Sequence, residues 1–103
     1  MQTTRNATPT DAERAAFEAR LRHEGFDEIL TKTLEADVVI DLHSHPYDVL
    51  ALVLEGEATI DCGSGPRTFR PGDILEVAAD QPHTEHYGPQ GYTFMLGRRH
   101  KPA

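Results

Sequence analysis

The stretch His43-Ser44-His45-Pro46-Tyr47-Asp48-Val49-Leu50-Ala51-Leu52-Val53-Leu54-Glu55-Gly56-Glu57 decides the fold. Its centre, Val49 to Leu54, is the longest unbroken apolar run in the chain. Such a run is far short of the roughly 20 residues that a membrane span needs. On a strand, Val49, Ala51 and Val53 share one face, and Leu50, Leu52 and Leu54 share the other. Both faces are apolar, so both must be kept from water. One face predicts a barrel interior. The other needs a cover, either a helix or a second subunit, and a homodimer is expected on this ground.

Working outward, short β-branched or aliphatic runs recur every 8–12 residues after Gly25, the spacing of an all-β sandwich or barrel. They fall at about 27–34, 38–43, 49–54, 58–62, 67–70, 74–77, 83–87 and 92–97. Between them stand Glu55-Gly56, Gly63-Ser64-Gly65-Pro66, Pro71-Gly72-Asp73, Asp80-Gln81-Pro82 and Gly88-Pro89-Gln90-Gly91, where the chain is expected to reverse. Such a strand count in so short a segment predicts a closed, double-sheet antiparallel barrel. Before it, Thr10-Asp11-Ala12-Glu13 matches a capping box and predicts one α-helix from Asp11 to about Glu24, stopped by Gly25. Its apolar stripe is thin: Ala12, Ala16, Phe17 and Leu21. The expected organisation is a disordered segment over 1–9, a helix over 10–25, a barrel over 26–97 and a basic tail over 98–103.

Composition narrows the function. The 103 residues hold 10 Lys and Arg against 17 Asp and Glu, a net charge of −7. Arg98, Arg99 and Lys101 sit in the tail, so the body before it is more acidic still, which argues against nucleic acid as a partner. A single cysteine, Cys62, excludes an internal disulfide and fits a reducing cytoplasm. Met1 to Arg5 carries no apolar signal segment, and no partnership with a membrane is expected. Cys62 follows Ile60 at strand spacing with no basic neighbour in sequence, which predicts packing rather than nucleophilic chemistry.

Chemistry is concentrated in the histidines. His43 and His45, two apart on a strand, project from one face and can share one metal ion. His83, at the start of another strand, can face them across the barrel. Three imidazoles on one ion leave open positions for water, dioxygen or a substrate. Other donors lie nearby. Glu85 shares the face of His83. His86 points the opposite way on a strand, and Asp48 reaches the site only if a bulge near Pro46 re-aims it. Val49, Ala51, Tyr47 and Tyr87 are expected to line a pocket for a small organic molecule.

Taken together, His43-Ser44-His45, Gly56, Gly72 and His83 resemble the two sequence motifs of the cupin superfamily over about residues 34–97. Asp37, Ala78, Asp80 and Tyr87 depart from the motifs' Gly, Pro, Gly and Asn. Val49 stands where the first motif has its metal-binding Glu. The resemblance implies an antiparallel double-stranded β-helix, or jelly roll, and a divalent ion (iron, zinc, nickel or manganese) on His43, His45 and His83. It further implies a three-histidine dioxygenase, or an isomerase, favouring anionic substrates such as enolates or thiolates. The alternative it carries is a non-catalytic, sensor-like binder of small molecules, with Val49 marking an abandoned metal site.

Overall fold

The computed structural model describes residues 7–100. Thr10 caps α1 (Asp11–His23) through the reciprocal pair that its sequence allows: the Glu13 amide donates to Thr10 Oγ1 at 3.1 Å, and the Thr10 amide to Glu13 Oε1 at 2.8 Å. Glu24 is the C-cap, and Gly25 leaves the helix at a φ of 86°. Of the expected apolar stripe, Phe17 and Leu21 are buried while Ala12 and Ala16 stay exposed. The expected disorder before the helix falls largely on residues 1–6, which lie outside the described residues; Ala7 to Pro9 are irregular, with Pro9 buried.

Six antiparallel strands follow: β1 (Glu28–Leu34), β2 (Val39–His43), β3 (Tyr47–Asp61), β4 (Pro66–Phe69), β5 (Ile74–Val77) and β6 (His83–His100). β3 and β6 are long and pair along most of their length, with register shifts between Val53 and Glu55 and between Gly56 and Ala58. Before the shifts β3 pairs β5, and the facing end of β6 pairs β1. Beyond them β3 pairs β4, and the other end of β6 pairs β2. Each long strand therefore serves two sheet halves, which together form the expected jelly roll. Two expected reversals, at Glu55-Gly56 and at Gly88 to Gly91, are bends within continuous strands instead. The reason is local: Gly56 (φ 71°) and Gly91 (φ 80°) allow a bulged turn of direction without breaking the ladder.

Two departures from the motifs are explained by the backbone. Asp37 and Asp80, standing in place of motif glycines, take φ values of 62° and 63°. Aspartate tolerates this left-handed region better than most side chains do. The two aspartates thus occupy a conformation that glycine also adopts readily.

The alternation in Val49–Leu54 sorts two cores. Ala51 and Val53 point inward, among Ile60, Leu75, Phe94 and Leu96. Leu50, Leu52 and Leu54 point outward and are buried beneath Phe17, Leu21, Phe26 and Met95. α1 and Phe26 together cover this face, which therefore needs no second subunit to keep it from water. Gly97, opposite Leu50 in the sheet, makes the close approach feasible, since a Cβ there would stand 2.7 Å from Phe26 Cβ and 2.8 Å from Leu21 Cδ2. Leu21 is fully buried at 0% exposure. Leu21→Ala is expected to cost about 2–5 kcal/mol in denaturant unfolding, because it opens a cavity between helix and sheet.

The basic tail is corrected in part. β6 continues to His100, and Arg99 is engaged: it donates to Asp48 Oδ2 from Nη2 at 3.0 Å and to the Glu24 carbonyl from Nη1 at 2.8 Å, over the ring of Phe26. Strand pairing and this ion pair hold what composition alone reads as a solvated end. Residues 101–103 lie outside the described residues.

Candidate metal centre

The centre is built where β2 ends and β6 begins. Their register sets His43 directly opposite His83. His45 lies just beyond β2, its carbonyl held by the Asp80 amide at 2.7 Å, so the turn that precedes β6 also fixes this ligand. Glu85, two residues along β6, shares the inward face with His83. The ring centroids of His43 lie 4.8 Å from His45 and 4.2 Å from His83. One donor atom from each of His43, His45, His83 and Glu85 lies within 4.8 Å of the others. That spacing would let the four side chains hold one ion among them.

Hydrogen bonds fix which nitrogen is offered. His43 Nδ1 lies 2.8 Å from the Asp41 carbonyl, and His83 Nδ1 lies 2.9 Å from the Gln81 carbonyl. A carbonyl only accepts, so each Nδ1 carries the proton and each neutral ring keeps its lone pair on Nε2. Both Nε2 atoms face one oxygen: Glu85 Oε2 is 3.2 Å from that of His43 and 3.4 Å from that of His83. Two lone pairs and a carboxylate oxygen repel one another unless a cation sits among them. Protons can fill that place, and a divalent ion fills it better because it serves all the donors at once. The residues therefore fit a metal by their own chemistry.

The neighbours favour the same state. Burial lowers the His45 pKa, and the positive charges that His43 and His83 can carry lower it further; Glu85 opposes this, and Arg98 adds to it. His45 is thereby biased toward the neutral, lone-pair form. Tyr87 donates to Glu85 Oε1 at 2.9 Å, orienting the other oxygen toward the histidines. Burial first, then the Glu85 charge and the bond to it, push the Tyr87 hydroxyl well above the usual range, so it stays a donor. Tyr47 stacks on His45 at 5.0 Å and 9°.

Around the cluster lies a cavity of about 360 Å³. Val49, Ala51, Tyr47 and Tyr87 all line it, with Leu34, Ile40, Leu75 and Val77 among the apolar walls. Valine at position 49 contributes wall and no donor, and Glu85 sets a carboxylate beside the three histidines. The expected three histidines are brought together, and Glu85 joins them as a fourth donor that could hold an ion. Asp48 is not brought to the site: it points to the other face, where it accepts from Arg99 and from the Ala79 amide at 2.8 Å. His86 is exposed and lies opposite Val39 and Thr59 in the sheet. Cys62 is partly buried against the inner core, and burial, then Asp61 and Glu85, raise its pKa. Arg98 and Lys32 also line the cavity and were not expected there. Strand alternation running from Tyr92 through Phe94 and Leu96 reaches Arg98 on the same face, a regularity visible in the sequence.

Comparison with solved structures places this architecture among known proteins. KdgF from Halomonas sp. superimposes with a TM-score of 0.58 at 17% identity, covering 71% of this chain and 69% of its own. An RmlC-like cupin from Shewanella frigidimarina gives 0.58 at 18% identity, over 69% of this chain and 65% of its own. An HTH_3 family transcriptional regulator from Vibrio cholerae gives 0.63 at 18% identity, over 78% of this chain but only 46% of its own. Likenesses this distant in sequence concern the fold. A search of the curated proteins gave no match. By sequence, the family described as the cupin domain matches residues 31–87, a span that contains all the candidate ligands. With its fold, its motif residues and this match in agreement, the chain belongs to the cupin family.

Proposed function

We propose that this chain is a metal-dependent cupin enzyme that acts on a small organic molecule inside the barrel, by oxygenation or, failing that, isomerisation. One observation carries the reading: Glu85 Oε2 lies between the Nε2 atoms of His43 and His83, at 3.2 and 3.4 Å, inside a largely apolar cavity. A divalent ion bound there would supply Lewis acidity and, if iron, redox chemistry. The chain's own contribution is to keep His45 neutral, to hold Glu85 through Tyr87, and to exclude water with the apolar walls. Cys62, a lone thiol, fits work in a reducing cytoplasm.

Metal analysis of the purified protein is the first test. About one divalent ion per chain is expected, lost in a His43→Ala, His45→Ala double variant. A sub-stoichiometric content that the double variant leaves unchanged would overturn the metal reading. Oxygen uptake with a panel of diketones and thiols then marks a dioxygenase. Solvent-deuterium exchange into substrate without oxygen uptake marks an isomerase. Ligand binding with neither assigns the barrel to non-catalytic recognition, which walls such as Leu34, Ile40 and Val77 also serve.

A further inference from the structure

Arg98 stands opposite Val49 on β3 and Glu28 on β1, and lines the same cavity as His43, His45, His83 and Glu85. Its side chain is 22% exposed. The Nε atom is buried and has no hydrogen-bond partner among the described residues. Nearby, the guanidinium carbon lies 4.9 Å from the centre of the Tyr47 ring, and Nη1 stands a loose 3.6 Å from Glu28 Oε2. The buried Nε is unsatisfied and the Glu28 ion pair is loose, so the guanidinium is incompletely paired, which native structures rarely keep without use. Beyond the covered Nε, the planar guanidinium carries its two terminal nitrogens side by side, an end-on fork that matches a carboxylate. Lys32, also on the cavity lining, adds a second positive charge.

The ligand set gives this charge a purpose. Glu85 lowers the positive charge that a bound ion can offer to an anion. With or without an ion, Arg98 and Lys32 are the Arg and Lys side chains on the cavity wall that can attract an anion.

We propose that Arg98 is the anion-recognition residue of this cavity and that the substrate class is a small organic acid, its carboxylate on the Arg98 fork and its remainder against the apolar walls. This rests on the cavity being the substrate site, as proposed above, but not on the metal being present. Arg98 positions the substrate and takes no part in bond making.

The test uses phenylacetate and its neutral isostere phenylacetamide as probes, titrated into the metal-free and the zinc-loaded protein by amide and arginine Nε–H NMR. The acid is expected to bind about tenfold more tightly than the amide, with the Arg98 Nε–H resonance moving for the acid alone. In Arg98→Gln the preference should fall to about one, an acid-selective loss that a merely structural role would not produce. Arg98→Lys should keep part of the preference, since it retains the charge but loses the fork. Equal affinity of the parent protein for acid and amide overturns the proposal, as does a preference that survives in Arg98→Gln. Should a variant fail to fold, the parent's preference and its Nε–H shift decide alone. Acid preference in a protein that takes up no metal sinks the metal reading and leaves this one standing. Stoichiometric metal with no acid preference does the reverse.

Discussion

His83→Ala is expected to weaken zinc binding by about a hundredfold, measured by competition with a chromophoric chelator. Structural zinc sites contribute roughly 10–16 kcal/mol over four ligands, so one ligand's share is about 3 kcal/mol. His83 is the most buried of the set, at 3% exposure, and no other imidazole can take its place opposite His43. Its loss also strips Glu85 Oε2 of one of its two nitrogen neighbours. The matched comparison is between carboxylates. Glu85→Gln should weaken metal binding severalfold or more, because an amide oxygen carries no charge. Asp48→Asn should leave metal binding unchanged, because Asp48 is occupied on the other face by Arg99 and the Ala79 amide. If Asp48→Asn costs metal and Glu85→Gln does not, the ligand set drawn above is wrong.

Gly56→Ala should be the most damaging single methyl addition. Gly56 has a φ of 71°, and a Cβ there would collide with the Gly91 carbonyl oxygen, with the Gly91 carbonyl carbon at 2.8 Å and Tyr92 Cα at 3.1 Å. The obstacles are backbone, so no side chain can swing away. Left-handed strain alone costs about 1–2 kcal/mol, and separating two paired strands adds to it. A total near 4 kcal/mol or more is expected in chemical denaturation, a large part of the stability of a small domain. Gly63→Ala is the control. Its φ of 109° carries strain, but nothing lies within 4 Å of the added carbon, so it should cost about 1–2 kcal/mol. Equal midpoints for the two variants would show that the crossing of β3 and β6 at Gly56 is not what holds the two sheet halves in register.

Most of the site is legible in the sequence, for a simple reason. His43 and His45, like His83 and Glu85, are pairs at strand spacing, and a two-residue period fixes the face they share. The partner of a pair is another matter. Only the β2–β6 register, His43 opposite His83, brings the two pairs together and sets Glu85 within reach of both imidazoles. Asp48 and Glu85 look alike as carboxylates in sequence, and they differ in which wall of the strand they leave. Val49 at the motif's carboxylate position suggests a three-histidine site or an abandoned one, whereas β6 sets the Glu85 carboxylate beside the histidines.

By itself the sequence determined the class of the fold, the helix cap, the two-faced β3 and the inward pairs, because each follows from local periodicity, capping chemistry and the need to bury apolar surface. Tertiary structure decided what covered the outer face of β3, since that depends on how closely Leu21 and Phe26 approach Gly97. It also decided that Glu55-Gly56 bends rather than reverses, and that Arg98 turns inward from what composition reads as a tail. These outcomes rest on contacts between residues tens of positions apart, and local pattern carries no information about which of those distant partners meet.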